Sequence, residues 1–388
     1  MTGSLNGSAY VEINNSIIEH NARLMCEAFP HKYNIAVVKG NAYGHGYGVI
    51  PAMIKGGINA FAVARLSEAL SVREYEKNLP VIMLEPVESE YLKICSENGI
   101  SVCISDMDTF KEASLSGLKL KLQLKIDCGM NRLGFKNREE INRVVAEIKK
   151  NENLTLEGIF SHFHTSGIQD TEYAKNRTRF EYLTEDVNLS DVPMVHLDKT
   201  QTVILHDTPA YANGARIGIA LYGFTTVHDF PDTLKGKIRK IQRENHNRRN
   251  SVEPCKPIVE YDVKKAFKLY TKVLQVKTAK AGEYVGYGLF HRATGNEIIA
   301  TIDIGYADGI DRRRTGSFVA INGKKCPIIG EVGMNMCQVL ANDTVKKGDL
   351  VTVIGGDVPI VSVTTHIGTT MYEVMTGIDS SIPRIYVE

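Results

Sequence analysis

Apolar positions in the first 224 residues occur in short runs, rich in Val, Ile and Leu, that alternate with amphipathic charged stretches. The runs predict eight strands, at 33–39, 59–64, 79–84, 100–104, 119–126, 155–160, 193–197 and 213–217. Helical periodicity appears between several of them, at 66–76, 88–97, 106–115, 137–150 and 172–184. This alternation indicates a sequence of strand–helix units.

Strands that are apolar on both faces, separated by helices, are typical of a parallel sheet with both faces covered. Eight such units in about 190 residues fit a closed (β/α)₈ barrel. An open, doubly wound sheet is the alternative that the pattern by itself leaves open. We therefore predict an α/β fold with a TIM-like barrel over residues 10–224.

The pattern changes after the last predicted strand of the barrel. Residues 225–257 are rich in charge and poor in apolar side chains, which predicts an exposed insertion or linker. From 258 to 388 the apolar runs are short and separated by turn residues, which predicts a second, mostly β domain at the C-terminus. The early segment 9–14 (AYVEIN) is a strand of either domain, so residues 1–14 are candidates to join the β domain.

Composition narrows the class of protein. A chain of 388 residues suits two domains, and a net charge of +1 gives no indication of a nucleic-acid partner. No apolar stretch is long enough to predict a transmembrane helix, and the polar N-terminus lacks the design of a signal peptide. None of the seven cysteines forms a C-x-x-C pair, so we expect reduced thiols in a cytoplasmic protein.

Functional residues of such barrels lie at the carboxyl ends of the strands. The first predicted strand ends in Lys39, whose apolar neighbours lower the pKa of an amine and favour its neutral, nucleophilic form. A lysine that only extends to solvent from a strand end is the simpler interpretation of this residue. The glycine-rich, aromatic loop 40–46 directly behind it favours a Schiff-base lysine.

The other strand ends carry further polar groups. His162 and His164 form an H-x-H pair that would suit a metal, but a metal site needs further His or carboxylate ligands. The first strand offers Lys39 and the eighth offers Arg216, so we predict no metal. Loops after strands seven and eight commonly bind phosphate in this fold. Thr200, after strand seven, and the backbone amides of Gly218 and Ile219, after strand eight, suit that role.

Several motifs together resemble those of the alanine racemases, pyridoxal 5′-phosphate (PLP) enzymes that combine a barrel with a β domain. They are AVVKGNAYGHG (36–46), KIDCGMNRLGF (125–135), GARIGIALYG (214–223), VGYG (285–288), IGYADG (304–309), GMN (333–335) and MYEV…PRIY (371–386). The first of them resembles the signature around the cofactor lysine of the family. The resemblance covers nearly the whole chain apart from residues 228–257.

The resemblance implies a role for each matching residue. Lys39 would bear the cofactor, and the phosphate would be surrounded by Tyr43, Thr200, Gly218, Ile219 and Tyr372. Arg216 would donate to the pyridine nitrogen, with His162 beside it. Arg132 would contact the cofactor and the substrate carboxylate, and Lys125 occupies a position that carries a carbamate in many members.

The family also implies a homodimer with shared active sites. Tyr287 would be the second acid/base and Met334 would offer a backbone amide to the substrate carboxylate, both reaching the site of the partner subunit. Racemisation removes the α-proton on one face and returns it on the other, so two acid/base groups, Lys39 and Tyr287, are required. The expected reaction is L-alanine to D-alanine, the D-amino acid being a peptidoglycan precursor.

Two departures from the family pattern bear on substrate identity. Lys199-Thr200 replaces the usual Asn-Ser, and Asn335 replaces an aspartate that helps to hold the catalytic tyrosine. Racemisation of serine, as in the cytoplasmic module of membrane-bound vancomycin-resistance racemases, is the first alternative, in which case the polar N-terminus would be a cut in a longer chain. A non-catalytic PLP-binding protein is the second, but it would lack the β domain that bears Tyr287.

Overall fold

The computed structural model describes residues 7–166, 171–225, 234–249, 255–256 and 259–388. These residues form two compact units. One, the barrel unit, comprises the described part of residues 18–39 and 50–265. The other, the C-terminal unit, comprises the described part of 1–17 together with 40–49 and 266–388.

The barrel unit is built on a closed ring of eight parallel strands. After β1 (Tyr10–Asn14), which belongs to the C-terminal unit, the ring is formed by β2 (Tyr33–Val37), β3 (Ala60–Val63), β4 (Val81–Met83), β5 (Ile100–Ile104), β6 (Leu120–Ile126), β7 (Leu154–Ser161), β8 (Met194–Lys199) and β9 (Gly214–Ile217). Strands β2 and β9 close it, with Ile35 opposite Arg216. The predicted barrel is confirmed, and the open doubly wound sheet is wrong.

Helices connect the strands of this part of the chain. They span Asn15–Ala28, Ile50–Lys55, Leu66–Tyr75, Leu92–Glu97, Met107–Leu115, Arg138–Lys150, Glu172–Leu183 and Thr200–Leu205. Local sequence sets several of their starts: the side chains of Asp106 and Asn137 accept hydrogen bonds from backbone amides of the first turn. In Arg138–Lys150, the buried residues recur at helical spacing, at Ile141, Val144, Val145 and Ile148, so one apolar face is buried.

One further helix, Leu234–Arg249, lies within the segment predicted as an insertion or linker. Its described side chains, among them Leu234, Ile238 and Ile241, are exposed. The rest of the predicted 225–257 segment lies largely outside the described residues. Among the described residues, no helix is long and apolar enough to cross a membrane.

The C-terminal unit is built on an eight-stranded sheet. Its strands are β1, β10 (Phe267–Ala279), β13 (Glu297–Ile302), β14 (Phe318–Ile321), β15 (Lys324–Ile329), β16 (Cys337–Ala341), β17 (Leu350–Ile354) and β18 (Arg384–Val387). The short pair β11 (Tyr284–Val285) and β12 (His291–Arg292) forms a separate hairpin. Helices Ile360–Ile367 and Met371–Thr376 follow β17. The predicted strand-rich C-terminal domain is confirmed.

Strand β10 organises this sheet because its two halves have different partners. Leu269 to Lys272 pair with β17, whereas Val273 to Ala279 pair with β13. Strand β1 lies antiparallel to β10 and parallel to β18, so the early segment 10–14 pairs with strands from the end of the chain.

Candidate active site

Eight of the residues singled out from the sequence lie at the carboxyl end of the barrel. Each belongs to a barrel strand or to the segment directly after it: Lys39, Lys125, Arg132, His162, Thr200, Arg216, Gly218 and Ile219. Parallel strands of a closed barrel end on the same face, which brings these side chains to one mouth.

The mouth is strongly electropositive around His162. Burial, followed by the positive charges of Arg216, Lys199, Arg132 and Lys39, lowers the pKa of this imidazole to about 2. His162 is therefore neutral at neutral pH. Four cationic side chains thus lie near one half-buried imidazole, an arrangement that favours an anionic ligand.

Arg216 is buried and held by four hydrogen bonds. Its Nη1 donates to Nδ1 of His196 at 2.7 Å and to the His196 carbonyl at 2.6 Å. Its Nη2 donates to the carbonyl oxygens of Ser161, at 2.7 Å, and Leu197, at 2.9 Å. Burial lowers the pKa of Arg216 to about 10, so the guanidinium remains charged at neutral pH. The charge of Arg216 acts on His162, the neighbour that the family resemblance implies, and the imidazole that accepts a hydrogen bond from Arg216 is His196.

Lys125 is only 4% exposed, although it carries an amine. Its Nζ donates to the Leu84 carbonyl at 2.7 Å and lies 5.3 Å from the centre of the Phe160 ring. Burial lowers the pKa of Lys125, and the nearby Arg132 lowers it further. The neutral amine is the form that reacts with carbon dioxide, so this environment suits a carbamate.

The departure at Lys199-Thr200 has a clear local structure. Lys199 Nζ donates to the Phe163 carbonyl at 3.3 Å, and burial, followed by the charge of Arg216, lowers its pKa. Thr200 is buried, and its Oγ1 accepts from the Gly218 amide at 3.0 Å. The threonine hydroxyl therefore joins the loops that follow β8 and β9.

A left-handed turn follows Lys39 along the chain. Gly40, Asn41, Ala42 and Tyr43 all have positive φ, between 50° and 62°. A left-handed conformation costs a non-glycine residue roughly 1–2 kcal/mol, so three such residues in succession store strain. The turn, which belongs to the C-terminal unit, is closed by hydrogen bonds from the amides of Gly44 and Gly46 to the carbonyls of Gly40 and Asn41, both at 2.9 Å.

Tyr43, at the end of this turn, packs against Tyr372 within the C-terminal unit. Their ring centroids are 5.8 Å apart, with the rings tilted by 50°. Burial raises the pKa of Tyr43, and the proximity of Tyr372 raises it further, so its hydroxyl stays protonated. The two tyrosines predicted to contact the phosphate are therefore neighbours.

Tyr287 and Met334 line one cleft of the C-terminal unit, with a volume of about 400 Å³. Their side chains are 72% and 57% exposed. Asn335, at the position of the second departure, lines the same cleft. Four further apolar side chains of this region are also exposed: Tyr284, Leu289, Phe290 and Met336. An exposed apolar patch of this kind is typical of a surface that a partner covers.

The metal alternative depends on His162 and His164. Over the described ranges, no group of three or more His, Cys, Asp or Glu side chains is arranged to hold a metal ion. His164 is exposed, whereas His162 lies among cations that oppose a metal ion. Nothing in this part of the molecule favours a metal site.

Sequence reasoning assigned no role to three polar residues of the barrel strands: Gln123, Glu157 and His196. Gln123 and His196 are fully buried, and all three are joined by hydrogen bonds. In the sequence, the one indication was that these polar residues stand in otherwise apolar strands. Since buried polar groups need hydrogen-bond partners, this position indicates a polar network inside the barrel.

A parallel barrel with a lysine after its first strand, in a chain that continues into a strand-rich C-terminal unit, fits an amino-acid racemase of the PLP-dependent barrel class. Residues 13–226 match the model of the alanine racemase N-terminal domain, and residues 266–386 match that of the alanine racemase C-terminal domain. The chain belongs to the alanine racemase family.

Individual relatives agree with this assignment. The alanine racemase of Geobacillus kaustophilus is 32% identical over 97% of this chain and 94% of its own. The alanine racemase of Enterococcus faecalis superposes with a TM-score of 0.85 at 31% identity, with all of both chains covered. A histidine racemase from Leuconostoc mesenteroides subsp. sake superposes with a TM-score of 0.84 at 25% identity, again over all of both chains. The fold therefore serves racemases of different amino acids.

Proposed function

We propose that this enzyme interconverts L-alanine and D-alanine with PLP bound to Lys39. The observation that carries the proposal is the position of Lys39 at the mouth of the barrel, among the cations that surround His162. The relatives named alanine racemases support the choice of alanine.

The residues at the mouth fit this cofactor. PLP is an anion with a phosphate, and the surrounding Lys199, Arg132 and Arg216 carry positive charge. The cofactor, when bound, supplies an electron sink that stabilises a carbanion at the α-carbon of the substrate. In this proposal the phosphate is held by Tyr43, Thr200, Gly218, Ile219 and Tyr372.

Arg216 would contact the pyridine nitrogen of the bound cofactor, with the neutral His162 nearby. Because its guanidinium is charged at neutral pH, it donates a hydrogen bond and leaves that nitrogen without a proton. A nitrogen without a proton withdraws fewer electrons, which should suppress side reactions such as transamination.

Arg132 and the backbone amide of Met334 would hold the substrate carboxylate. A carbamate on Lys125 would carry a negative charge and would orient Arg132, in keeping with the lowered pKa of the amine. In this proposal Tyr372, whose ring packs against Tyr43, would limit the space for the substrate side chain and favour a small one.

Lys39 and Tyr287 serve as the two acid/base groups, one on each face of the substrate. Tyr287 would come from the partner subunit of a homodimer. Its exposure, in an apolar patch with Leu289, Phe290 and Met334, supports a surface that is covered in the dimer.

Two measurements test the proposal. Borohydride reduction of the purified yellow enzyme should fix the cofactor to a peptide that contains Lys39, and trapping on another lysine would contradict the assignment. An assay across L-alanine, L-serine, L-histidine and L-lysine should then give the highest kcat/KM for alanine. A serine preference of tenfold or more would replace alanine by serine as the substrate.

A further inference from the structure

A chain of hydrogen bonds leads from Arg216 through the interior of the barrel. Arg216 donates to Nδ1 of His196 at 2.7 Å, and Nε2 of His196 lies 3.2 Å from Oε1 of Gln123. Nε2 of Gln123 donates to Oε2 of Glu157 at 3.0 Å. Glu157 also accepts from the Ser101 hydroxyl, and its Oε1 lies 3.6 Å from the ammonium of Lys121.

The donor and the acceptor of every hydrogen bond in this series follow from the groups at its two ends, the Glu157 carboxylate and the Arg216 guanidinium. A carboxylate only accepts, so the Gln123 amide must present its N–H group to Glu157 and its oxygen to His196. That oxygen needs a donor, which places the imidazole proton of His196 on Nε2. Nδ1 then carries a lone pair, the one arrangement that can accept from the Arg216 guanidinium.

The barrel is built around this chain of side chains. Gln123 on β6 and His196 on β8 are fully buried, and Glu157 lies on β7 between those strands. His196 stacks on Phe160 with a 4.9 Å centroid separation and an interplanar angle of 7°, which fixes the plane of the imidazole. Gly158 leaves the space for the Gln123 amide, since a Cβ at this position would collide with it.

We propose that Gln123 and Glu157 are positioning residues that fix the Nε2–H tautomer of His196 and, through it, the orientation of Arg216. Both act through other side chains of the barrel interior. The inference rests on the proposed function only for the role of Arg216 toward the cofactor; the tautomer itself is independent of any cofactor.

The alternative tautomer would place two donors face to face. If the Gln123 amide turned, its N–H group would meet Nε2 of His196, and the imidazole proton would move to Nδ1. That proton would then oppose Nη1 of Arg216, only 2.7 Å away. A buried donor without an acceptor costs about 1–3 kcal/mol, so Arg216 would shift or lose this contact.

The test uses variants that change the direction of the hydrogen bonds while keeping side-chain size. In Glu157→Gln, the new amide can donate as well as accept, so Gln123 is free to turn. In the double variant Gln123→Glu/Glu157→Gln, residue 123 only accepts and residue 157 donates to it, which restores the native direction. Lys121→Gln is the matched control, because it removes the half-exposed charge beside Glu157 and keeps the Glu157–Gln123 bond.

The first measurement is the tautomer of His196 in the purified holoenzyme and apoenzyme, from long-range ¹H–¹⁵N NMR spectra of histidine-labelled protein, with His196→Gln to assign the signal. The native enzyme and Lys121→Gln should show Nε2–H alone. Glu157→Gln should add the Nδ1–H form, and the double variant should return to Nε2–H. A native Nδ1–H form, or a Glu157→Gln spectrum like that of the native enzyme, would overturn the proposal.

The second measurement separates positioning from stability. Glu157→Gln should lower kcat in proportion to the share of the Nδ1–H form, because Arg216 is displaced only in that form, with little change in KM or melting temperature. The double variant should recover most of the loss. If the double variant were no better than Glu157→Gln, the chain would have only a packing role. The NMR measurement of the His196 tautomer does not depend on the substrate, so it would test this proposal even if the enzyme did not racemise alanine.

Discussion

The amide of Gly44 donates to the carbonyl oxygen of Gly40 at 2.9 Å and so closes a left-handed turn that starts directly after Lys39. Between these glycines, Asn41, Ala42 and Tyr43 adopt positive φ although each has a Cβ that makes this conformation unfavourable. The turn brings Tyr43 against Tyr372 within the C-terminal unit. Its conformation therefore links the proposed cofactor lysine to a proposed phosphate ligand through a short stretch of backbone.

Two glycines of this turn should respond differently to alanine. At Gly40, φ is 62° and a Cβ would lie 3.4 Å from the Thr376 methyl group, so Gly40→Ala should cost only the backbone strain, about 1–2 kcal/mol of the free energy of unfolding. At Gly44, φ is 83° and a Cβ would collide with the Met375 carbonyl, so Gly44→Ala should cost about 3 kcal/mol or more.

Urea titrations of the two variants and the native enzyme measure this difference. Gly40→Ala is the control for backbone strain, since both glycines have positive φ. Equal losses of stability for the two variants would show that the Met375 carbonyl does not constrain the turn.

Buried neutral histidines predict a loss of stability in acid. Burial, followed by the charge of Arg216, holds the pKa of His196 well below 6.5, so unfolding takes up a proton once the pH falls below that value. The contribution of His196 is fully present above about pH 6.5 and is lost below it, at about 1.4 kcal/mol per pH unit. Burial likewise lowers the pKa of His45 to about 4.

The variant His196→Gln isolates one of these protons. Between about pH 6 and pH 4, its free energy of unfolding should fall less steeply than that of the native enzyme, by about 1.4 kcal/mol per pH unit. His164→Gln, at an exposed position, serves as the control. A slope unchanged by His196→Gln would mean that the imidazole is not held neutral in the folded state.

A carbamate on Lys125 is directly observable. Because the pKa of the amine is lowered by burial and by Arg132, its neutral form is available at lower pH than for an ordinary lysine. Enzyme equilibrated with ¹³C-bicarbonate should give a carbamate signal in ¹³C NMR that is absent from Lys125→Ala. The control is Lys199→Ala, which removes a half-buried lysine and should retain the carbamate signal. Loss of the signal in Lys199→Ala would assign the carbamate to Lys199.

Substrate size should depend on Tyr372. In the native enzyme we expect kcat/KM for alanine to exceed that for lysine by at least ~100-fold, or about 2.7 kcal/mol. Tyr372→Ala removes the ring that packs against Tyr43 and should narrow this ratio by raising kcat/KM for the larger amino acids. Leu115→Ala, at the exposed end of the helix Met107–Leu115, is the control for loss of side-chain volume. An unchanged ratio in Tyr372→Ala would assign substrate size to other residues.

The barrel could be predicted because each of its strands is buried on both faces and leaves a continuous apolar run. All eight predicted strands are present, with ends that differ by one or two residues in most cases, as between 33–39 and Tyr33–Val37. Lys39 and Arg216 could be found for the same reason, since they end or interrupt such runs. The assignment of residues 40–49 to the C-terminal unit could not be predicted, because these residues pack against segments that are distant in sequence.

Other features were missed for physical reasons. The helix Ile360–Ile367 (IVSVTTHI) is rich in β-branched residues, which favour strands when considered locally. The helix Leu234–Arg249 has too few apolar residues to show a buried face. The left-handed turn has Asn41, Ala42 and Tyr43 where glycine would be expected. Gln123 and Glu157 stand in otherwise apolar strands, but their roles could not be predicted because the partners that satisfy them lie on other strands.

Subunit complementation tests the central claim, that Lys39 of one subunit and Tyr287 of its partner act on one substrate. Lys39→Ala and Tyr287→Phe homodimers should each have little or no racemase activity, while Tyr287→Phe should still bind PLP. After subunit exchange, a mixed dimer contains one site with both groups intact and one with neither, so activity should reappear. If exchange is proven and no activity returns, the two groups act within one subunit or not at all, and the shared-site account is wrong.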